Sequence, residues 1–256
     1  MRCVCFVAVL IIVVNARADD GLILRSKISY GNALFDGDVK PILNSPAILY
    51  PSHYSFKGPY RSFSMGVGTD LNQTFTVSAD IGIHSMSGSN TEPGWGFRAI
   101  NPDGSYTESG LEYDLDVSVF DAFLRPAVAI QLPIGFSIEL GLPVRFNVNS
   151  RIASTVRYVS APNSRLDSAY ADSMFAASGH HPVFDVDKPV RLYDQEIEDM
   201  PTVLVAFDLE IGKAFVVKDA TVQILAGYRF GFAPISAVRS LRVNAIDLSL
   251  CVMYRL

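Results

Sequence analysis

Apolar and polar residues alternate with a period of two along most of the chain, and helical periodicity is nearly absent. Such alternation predicts strands with two chemically different faces. In TFTVSADIGIH, Phe75, Val77, Ala79, Ile81 and Ile83 share one face, while Thr76, Ser78, Asp80, Gly82 and His84 share the other. The same dyad runs through SFSMGVGTDL, FSIELGLPVRFNV, TVLVAFDLEIG, TVQILAGYRFGF and the closing AIDLSLCVMYRL. No repeat of sequence accompanies the repeat of pattern.

The pattern can be laid out as eight strands. LILRSKISYGNALF (22–35) runs outward and 62–71 returns, and only Asn72 and Gln73 separate that strand from 74–84, which marks a tight inner turn. In 111–132 the apolar residues fall on odd positions up to Val119 and on even positions from Phe120, a slip that fits either a two-strand hairpin or one long bulged strand. One strand keeps the count even and puts the long 149–201 stretch outside, and Pro126 then lies near an interruption of the ladder. A turn at Pro133–Gly135 precedes a strand over 136–148. The remaining strands are 202–212, 221–232 and 241–256, with a turn at KAFVVKDA and outer loops at 36–61, 86–110 and 149–201.

Composition decides which face is buried. Almost half of the 256 residues are apolar and 18% are charged, yet no internal apolar run approaches the roughly 20 residues of a membrane-spanning helix. The apolar face is bulky and often aromatic, and the other mixes Gly, Ser and Thr with Asp, Glu and Arg. That second face is too poor in Lys and Glu for a solvated surface, which favours a barrel turned inside out, apolar residues to lipid and polar ones to the lumen. Here the chain resembles the outer-membrane β-barrel proteins of Gram-negative bacteria, in particular the small OmpA-like and OmpX-like barrels. The resemblance is one of pattern over the whole mature chain, most of all in the final strand, where Leu248, Leu250, Val252 and Tyr254 alternate before Leu256, aliphatic where such barrels usually end in Phe.

The resemblance implies an all-β, eight-stranded antiparallel up-and-down transmembrane barrel with long extracellular loops. It also implies an outer-membrane location, contact with outer-membrane lipid and lipopolysaccharide, and a tail (Leu250, Val252, Tyr254, Leu256) read by the outer-membrane insertion machinery. In a closed barrel the final strand is paired on both edges, so a chain can end inside it without leaving an edge open. At the other end, Arg2, the run CVCFVAVLIIVV and the small residues Ala16 and Ala18 read as a cleaved secretory signal over 1–18, leaving 19–256 as the barrel domain. Removing Cys3 and Cys5 with it leaves Cys251 alone, so no intrachain disulfide is expected. Net charge is −5 with scattered basic residues, which argues against a nucleic-acid partner.

By strand phase, Glu139, Arg145, Asp208, Glu210, Arg229, Asp247 and Arg255 all fall on the polar face. A barrel of about eight strands is filled by its own side chains, so these charges should pair into a structural network or line a narrow pore. No catalytic constellation is expected: His84 lies near Ser85 and Ser87, and His180 and His181 sit in the large loop, but no sequence rule joins a base to a nucleophile here. The acids around Asp185, Asp187, Asp194, Glu196, Glu198 and Asp199 lack the spacing of a calcium loop, and neither a metal nor a cofactor motif is present. Trp95 between two glycines suits a headgroup belt or a recognition loop. The functional expectation is a structural or surface-binding barrel acting through its loops. A narrow porin-like channel and a soluble periplasmic lipid-binding β-barrel are the alternatives.

Overall fold

The computed structural model describes residues 21–37, 54–93, 97–159, 165–167, 169, 190–197, 200–235 and 241–256. The signal segment 1–18, Trp95, His180, His181, Asp185, Asp187, Glu198 and Asp199 lie outside the described residues. Twelve strands occur among those described: β1 (Leu22–Gly37), β2 (Tyr54–Asp70), β3 (Phe75–Pro93), β4 (Phe97–Ile100), β5 (Tyr106–Gln131), β6 (Phe136–Gly141), β7 (Val144–Val159), β8 (Arg165–Leu166), β9 (Val190–Glu196), β10 (Val203–Val217), β11 (Ala220–Gly231) and β12 (Arg242–Arg255).

Every pairing is antiparallel. From β1 the ladder passes through β2, β3 and β5, crosses β6 and β7 to β10, and returns through β11 and β12 to β1. The circuit ends where it began, as in a β-barrel-type fold. β4, β8 and β9 lie off it, β4 between β5 and β8 and β9 against β7. No described helix is long and apolar enough to cross a membrane, which says nothing about strands.

The expected strand over 136–148 is broken. β6 and β7 succeed one another in the same interval between β5 and β10, interrupted at Leu142 and Pro143. Proline has no N–H to give to the ladder. Across the gap stands Pro126 of β5, whose carbonyl accepts from Leu142 N at 3.0 Å, so the two prolines share one interruption.

One end of the circuit carries the tight connections. Asn72 Oδ1 accepts from Thr74 N (2.8 Å) and Phe75 N (2.9 Å), closing the turn from β2 to β3. Pro133–Gly135 turns between β5 and β6 with Ile134 at φ 64° and Gly135 at φ 78°. β10 runs past the expected turn at KAFVVKDA, leaving only Lys218 (φ 54°) and Asp219 as a two-residue hairpin. The start of β1 and the last residue meet here too, Leu256 N donating to Leu22 O at 2.8 Å.

Near this end the large apolar side chains point outward and are exposed: Leu24, Ile28 and Tyr30 on β1, Ile81 and Ile83 on β3, Leu248, Leu250 and Val252 on β12. Toward the far end the two faces exchange character without the strands turning over. On β1 the inward sequence is Arg25, Lys27, Ser29, then Ala33 and Phe35, while the outward one passes from Ile28 and Tyr30 to Asn32 and Asp36. On β5, Tyr113, Leu115, Val117 and Val119 are buried inside, and so are Asp121, Phe123 and Arg125.

The slip at Phe120 is therefore a change in what each face meets, and the true irregularity lies in the partner strand. Phe120 pairs with Asn149 and Asp121 with Asn147, so Val148 of β7 is the inserted residue. Below it Arg145 points in; above it Ser150, Ile152 and Ser154 do. The expectation of one strand over 111–132 agrees with β5, but the bulge belongs to β7.

This exchange also corrects the loop boundaries. β2 begins at Tyr54, β3 reaches Pro93, β5 starts at Tyr106 and β7 extends to Val159, so much of 36–61, 86–110 and 149–201 is strand. An interior filled by charge alone is likewise corrected. In this outer extension Phe35, Phe56, Tyr60, Met86, Leu115, Val117, Ile152 and Leu241 pack as a conventional apolar core, with Phe35 and Phe56 stacked at 4.8 Å. Full burial of each such side chain contributes about 1.5–3 kcal/mol.

Candidate functional site

Below the apolar core the interior is ionic, and each strand of the circuit places a charged residue in it except β2, which adds the Tyr60 hydroxyl. Arg125 of β5 is the hub. Its Nε donates to Asp208 (2.9 Å), Nη2 to Glu210 (3.0 Å), and Nη1 to Asp80 (3.3 Å) and Glu139. Arg25 donates through Nη2 to both oxygens of Glu139 (3.0 and 2.9 Å) and through Nη1 to Ser78 at 2.5 Å. Lys27 reaches both oxygens of Glu210 at 2.6 and 2.7 Å.

A second group sits closer to the apolar core. Arg229 forks onto Asp208 (2.7 and 2.8 Å) and donates to the Tyr60 hydroxyl (2.6 Å) and to His84 Nδ1 (3.2 Å). A guanidinium has no lone pair to offer, so Nδ1 is the acceptor and His84 donates through Nε2 to Asp121 Oδ2 at 2.9 Å. Arg145 and Asn147 complete the shell of Asp121. The rings of Tyr60 and Phe123 stand 5.3 and 5.7 Å from the Arg229 guanidinium, Tyr60 on the side of the apolar core, opposite Met86, and Phe123 between Asp121 and Arg125.

Burying an ion costs several kcal/mol unless it is paired and hydrogen-bonded. Five buried bases (Arg25, Lys27, Arg125, Arg145, Arg229) meet six buried acids (Asp80, Asp121, Glu139, Asp208, Glu210, Asp247) inside the circuit, a near balance. Asp247 is engaged by Ser249, whose hydroxyl lies 2.9 Å from Oδ1 and 2.7 Å from Ser29 Oγ. Glycine supplies the room. A Cβ on Gly141 would stand 2.6 Å from Arg125 Nε, and one on Gly66 2.1 Å from Asp80 Oδ1.

Of the residues expected from strand phase, Glu139, Arg145, Asp208, Glu210, Arg229 and Asp247 are buried in this network. Arg255 is not. It lies at the inner rim, largely exposed, paired with Asp70, because alternation fixes the face of a residue and not its height. Arg25, Lys27, Asp80, His84, Asp121 and Arg125 are members that the sequence reading left out of the set, although each occupies the inward phase of its strand. Leu250, Val252, Tyr254 and Leu256 all face outward and are exposed.

His84 does not join a serine. Its ring is inward and buried, whereas Ser85 and Ser87 point to the other face. From the acidic stretch, Asp194 pairs with Arg151 and Arg191, and the hydrogen bond from Arg151 lowers its pKa from the ordinary carboxylate value. At the inner end the network is floored by a cavity of about 750 Å³ lined by Asp70, Asn72, Gln73, Thr76, Gln223 and Arg255 among others. The interior thus runs from polar vestibule through ionic plug to apolar core.

The chain matches no protein-family model and no curated protein. Among solved structures it is similar to neisserial surface protein A (8% identity over 92% of this chain and 97% of that one, TM-score 0.36). It is also similar to Ail, the attachment invasion locus protein of Yersinia pestis, in complex with the heparin analogue sucrose octasulfate (10%, 90% and 99%, TM-score 0.32). A third is the outer membrane protease OmpT from Escherichia coli (7%, 93% and 98%, TM-score 0.38). At such values the likeness adds nothing to the pairing circuit itself.

Proposed function

We propose that this chain is an eight-stranded up-and-down β-barrel of a bacterial outer membrane, β6 and β7 counting as one interrupted strand. Its role in this reading is structural or surface-binding, carried by the outer extension and its loops. One observation supports it above the rest: the level at which ions fill the interior is the level at which large apolar side chains cover the exterior. A soluble lipid-binding barrel would need the reverse.

The apolar run from Ile246 to Tyr254 spans roughly 27 Å along its strand at about 3.4 Å per residue, or roughly 20 Å along the normal at a tilt of about 40°. That is close to the apolar band of about 25 Å on membrane barrels. The outward tail Leu250, Val252, Tyr254 and Leu256 then serves the insertion machinery. Against a channel stands the plug centred on Arg125, which joins four carboxylates from three strands across the lumen.

The test is fractionation together with gel mobility. The protein should stay in outer membranes through a urea wash, leave only with detergent, and migrate differently before and after boiling. Release without detergent refutes the membrane reading. In planar bilayers the folded protein should give no stable conductance, and an open-channel signal would replace the plugged reading with the channel one.

A further inference from the structure

The chain passes from β2 to β3 through Asp70, Leu71, Asn72, Gln73 and Thr74. Asparagine, a residue other than proline and then a hydroxyl residue form the acceptor pattern of N-linked glycosylation. No other asparagine of the chain has Ser or Thr two places further on. Asp70, two places before, supplies the carboxylate that bacterial oligosaccharyltransferases read in addition. A pattern this short recurs by chance, so its place in the fold decides whether it can serve.

That place is open. Residues 71–74 are all exposed, at the end of the circuit where the tight connections gather and which the membrane reading turns toward the periplasm. Leu71 N and Asn72 N donate to Phe75 O at 2.8 and 3.4 Å, closing the turn. Asn72 Oδ1 is taken up by Thr74 N and Phe75 N, whereas Nδ2 has no partner among the described residues. The turn therefore uses the oxygen of this side chain and leaves its nitrogen, the atom that takes a sugar, to solvent. A glycan added there breaks no hydrogen bond of the fold. Thr74 accepts from Gln131 N through its backbone at 2.7 Å, and its hydroxyl has no partner among the described residues. Asp70 is held in the folded protein by Thr76 and Arg255. Arg255 belongs to the last strand, so it cannot engage that carboxylate while the chain is incomplete.

We propose that Asn72 is the acceptor of one N-linked oligosaccharide, donated by a lipid-linked oligosaccharide pyrophosphate. Nδ2 attacks the anomeric carbon, and the new N–C bond forms as the C–O bond to the pyrophosphate breaks. Lipid pyrophosphate leaves with the electron pair, and the Nδ2 proton passes to a base of the transferase. The proposal rests on the membrane reading only for the compartment in which the turn meets that enzyme. The glycan stands at the mouth of the inner cavity of about 750 Å³, whose lining includes Asp70, Leu71, Asn72 and Gln73.

The experiment takes the full chain, diluted from urea into detergent, with a purified bacterial oligosaccharyltransferase and its lipid-linked oligosaccharide, and reads the intact mass. The parent should gain the mass of one glycan. N72Q, T74V and D70N should lose that gain. T74S keeps the hydroxyl and should keep the gain, as should N32Q, which alters an exposed asparagine of β1. The readout requires neither export nor barrel closure, so a failed site is distinguished from a failed membrane reading, which fractionation and heat-dependent mobility report separately. A parent that gains no mass overturns the proposal. So does a gain that survives in N72Q, T74V or D70N, or one that disappears in N32Q.

Discussion

Arg125 holds Asp80, Glu139, Asp208 and Glu210 at once, so its loss leaves four acids facing one another with fewer cations between them. Removing one partner of a buried pair costs about 3–5 kcal/mol. Arg125→Met should therefore lower stability by at least about that much in detergent, read as an earlier thermal transition by circular dichroism, while bilayer conductance stays absent. Gly141 tests the same contact from the other side. Gly141→Ala places a methyl 2.6 Å from Arg125 Nε and should cost about 1–3 kcal/mol, seen as a lower midpoint in guanidinium titration. A midpoint unchanged from the parent in both variants would show that the hub carries no stability. At this scale the sequence was half legible. Strand parity found Glu139, Asp208 and Glu210, but it ranked no residue by its number of partners, so the guanidinium they converge on was passed over, and Arg255 was included because parity carries no depth.

Strand bounds were read closely where one environment covered a whole strand, as on β11. Misreading began where a strand crosses from one environment to the next. There the inward residues go from ionic to apolar and the outward ones from apolar to polar, so an unbroken strand imitates a slip of phase, as β5 does at Phe120. Conversely, the real bulge at Val148 passed unnoticed because it falls at that same crossing. Deleting Val148 makes Asn147 and Asn149 consecutive, still opposite Asp121 and Phe120, so Ser150, Ile152 and Ser154 stay inward and Arg145 stays on Asp121. The expected outcome is a folded protein with heat-dependent mobility retained and trypsin protection near Arg151 and Arg157 equal to that of the parent. Rapid cleavage there would mean that the bulge itself holds the outer part in place.

For the molecule as a whole, the interior tiers are testable through the one cysteine among the described residues. Cys251 is buried and points inward on β12, between the vestibule and the ions. A membrane-impermeant maleimide should leave it unmodified in the folded protein and modify it fully once the barrel is unfolded, with labelling tracking the mobility change on heating. Rapid labelling below that transition would reveal water reaching past the vestibule, in conflict with a sealed plug. The same tiers explain why an alternating β architecture was legible while the apolar core was not: Phe56, Tyr60, Met86 and Ile152 were placed in outer loops, since nothing in a single strand marks where the surroundings change.

The first and last strands of the ring are neighbours, joined from Ile23–Arg255 to Asp36–Arg242. Arg25 and Lys27 find their carboxylates 114 and 183 residues downstream. Synthesis thus delivers both cations long before anything can neutralise them, and the cylinder cannot shut until its last segment has been made. Contacts so remote in sequence form slowly, because a long loop must be closed first. A partly made chain keeps two raw sheet borders and a greasy exterior in water, the condition in which strands pair with the wrong neighbour. Under the membrane reading proposed above, such a polypeptide is expected to need escorts that hold it unfolded until it is whole.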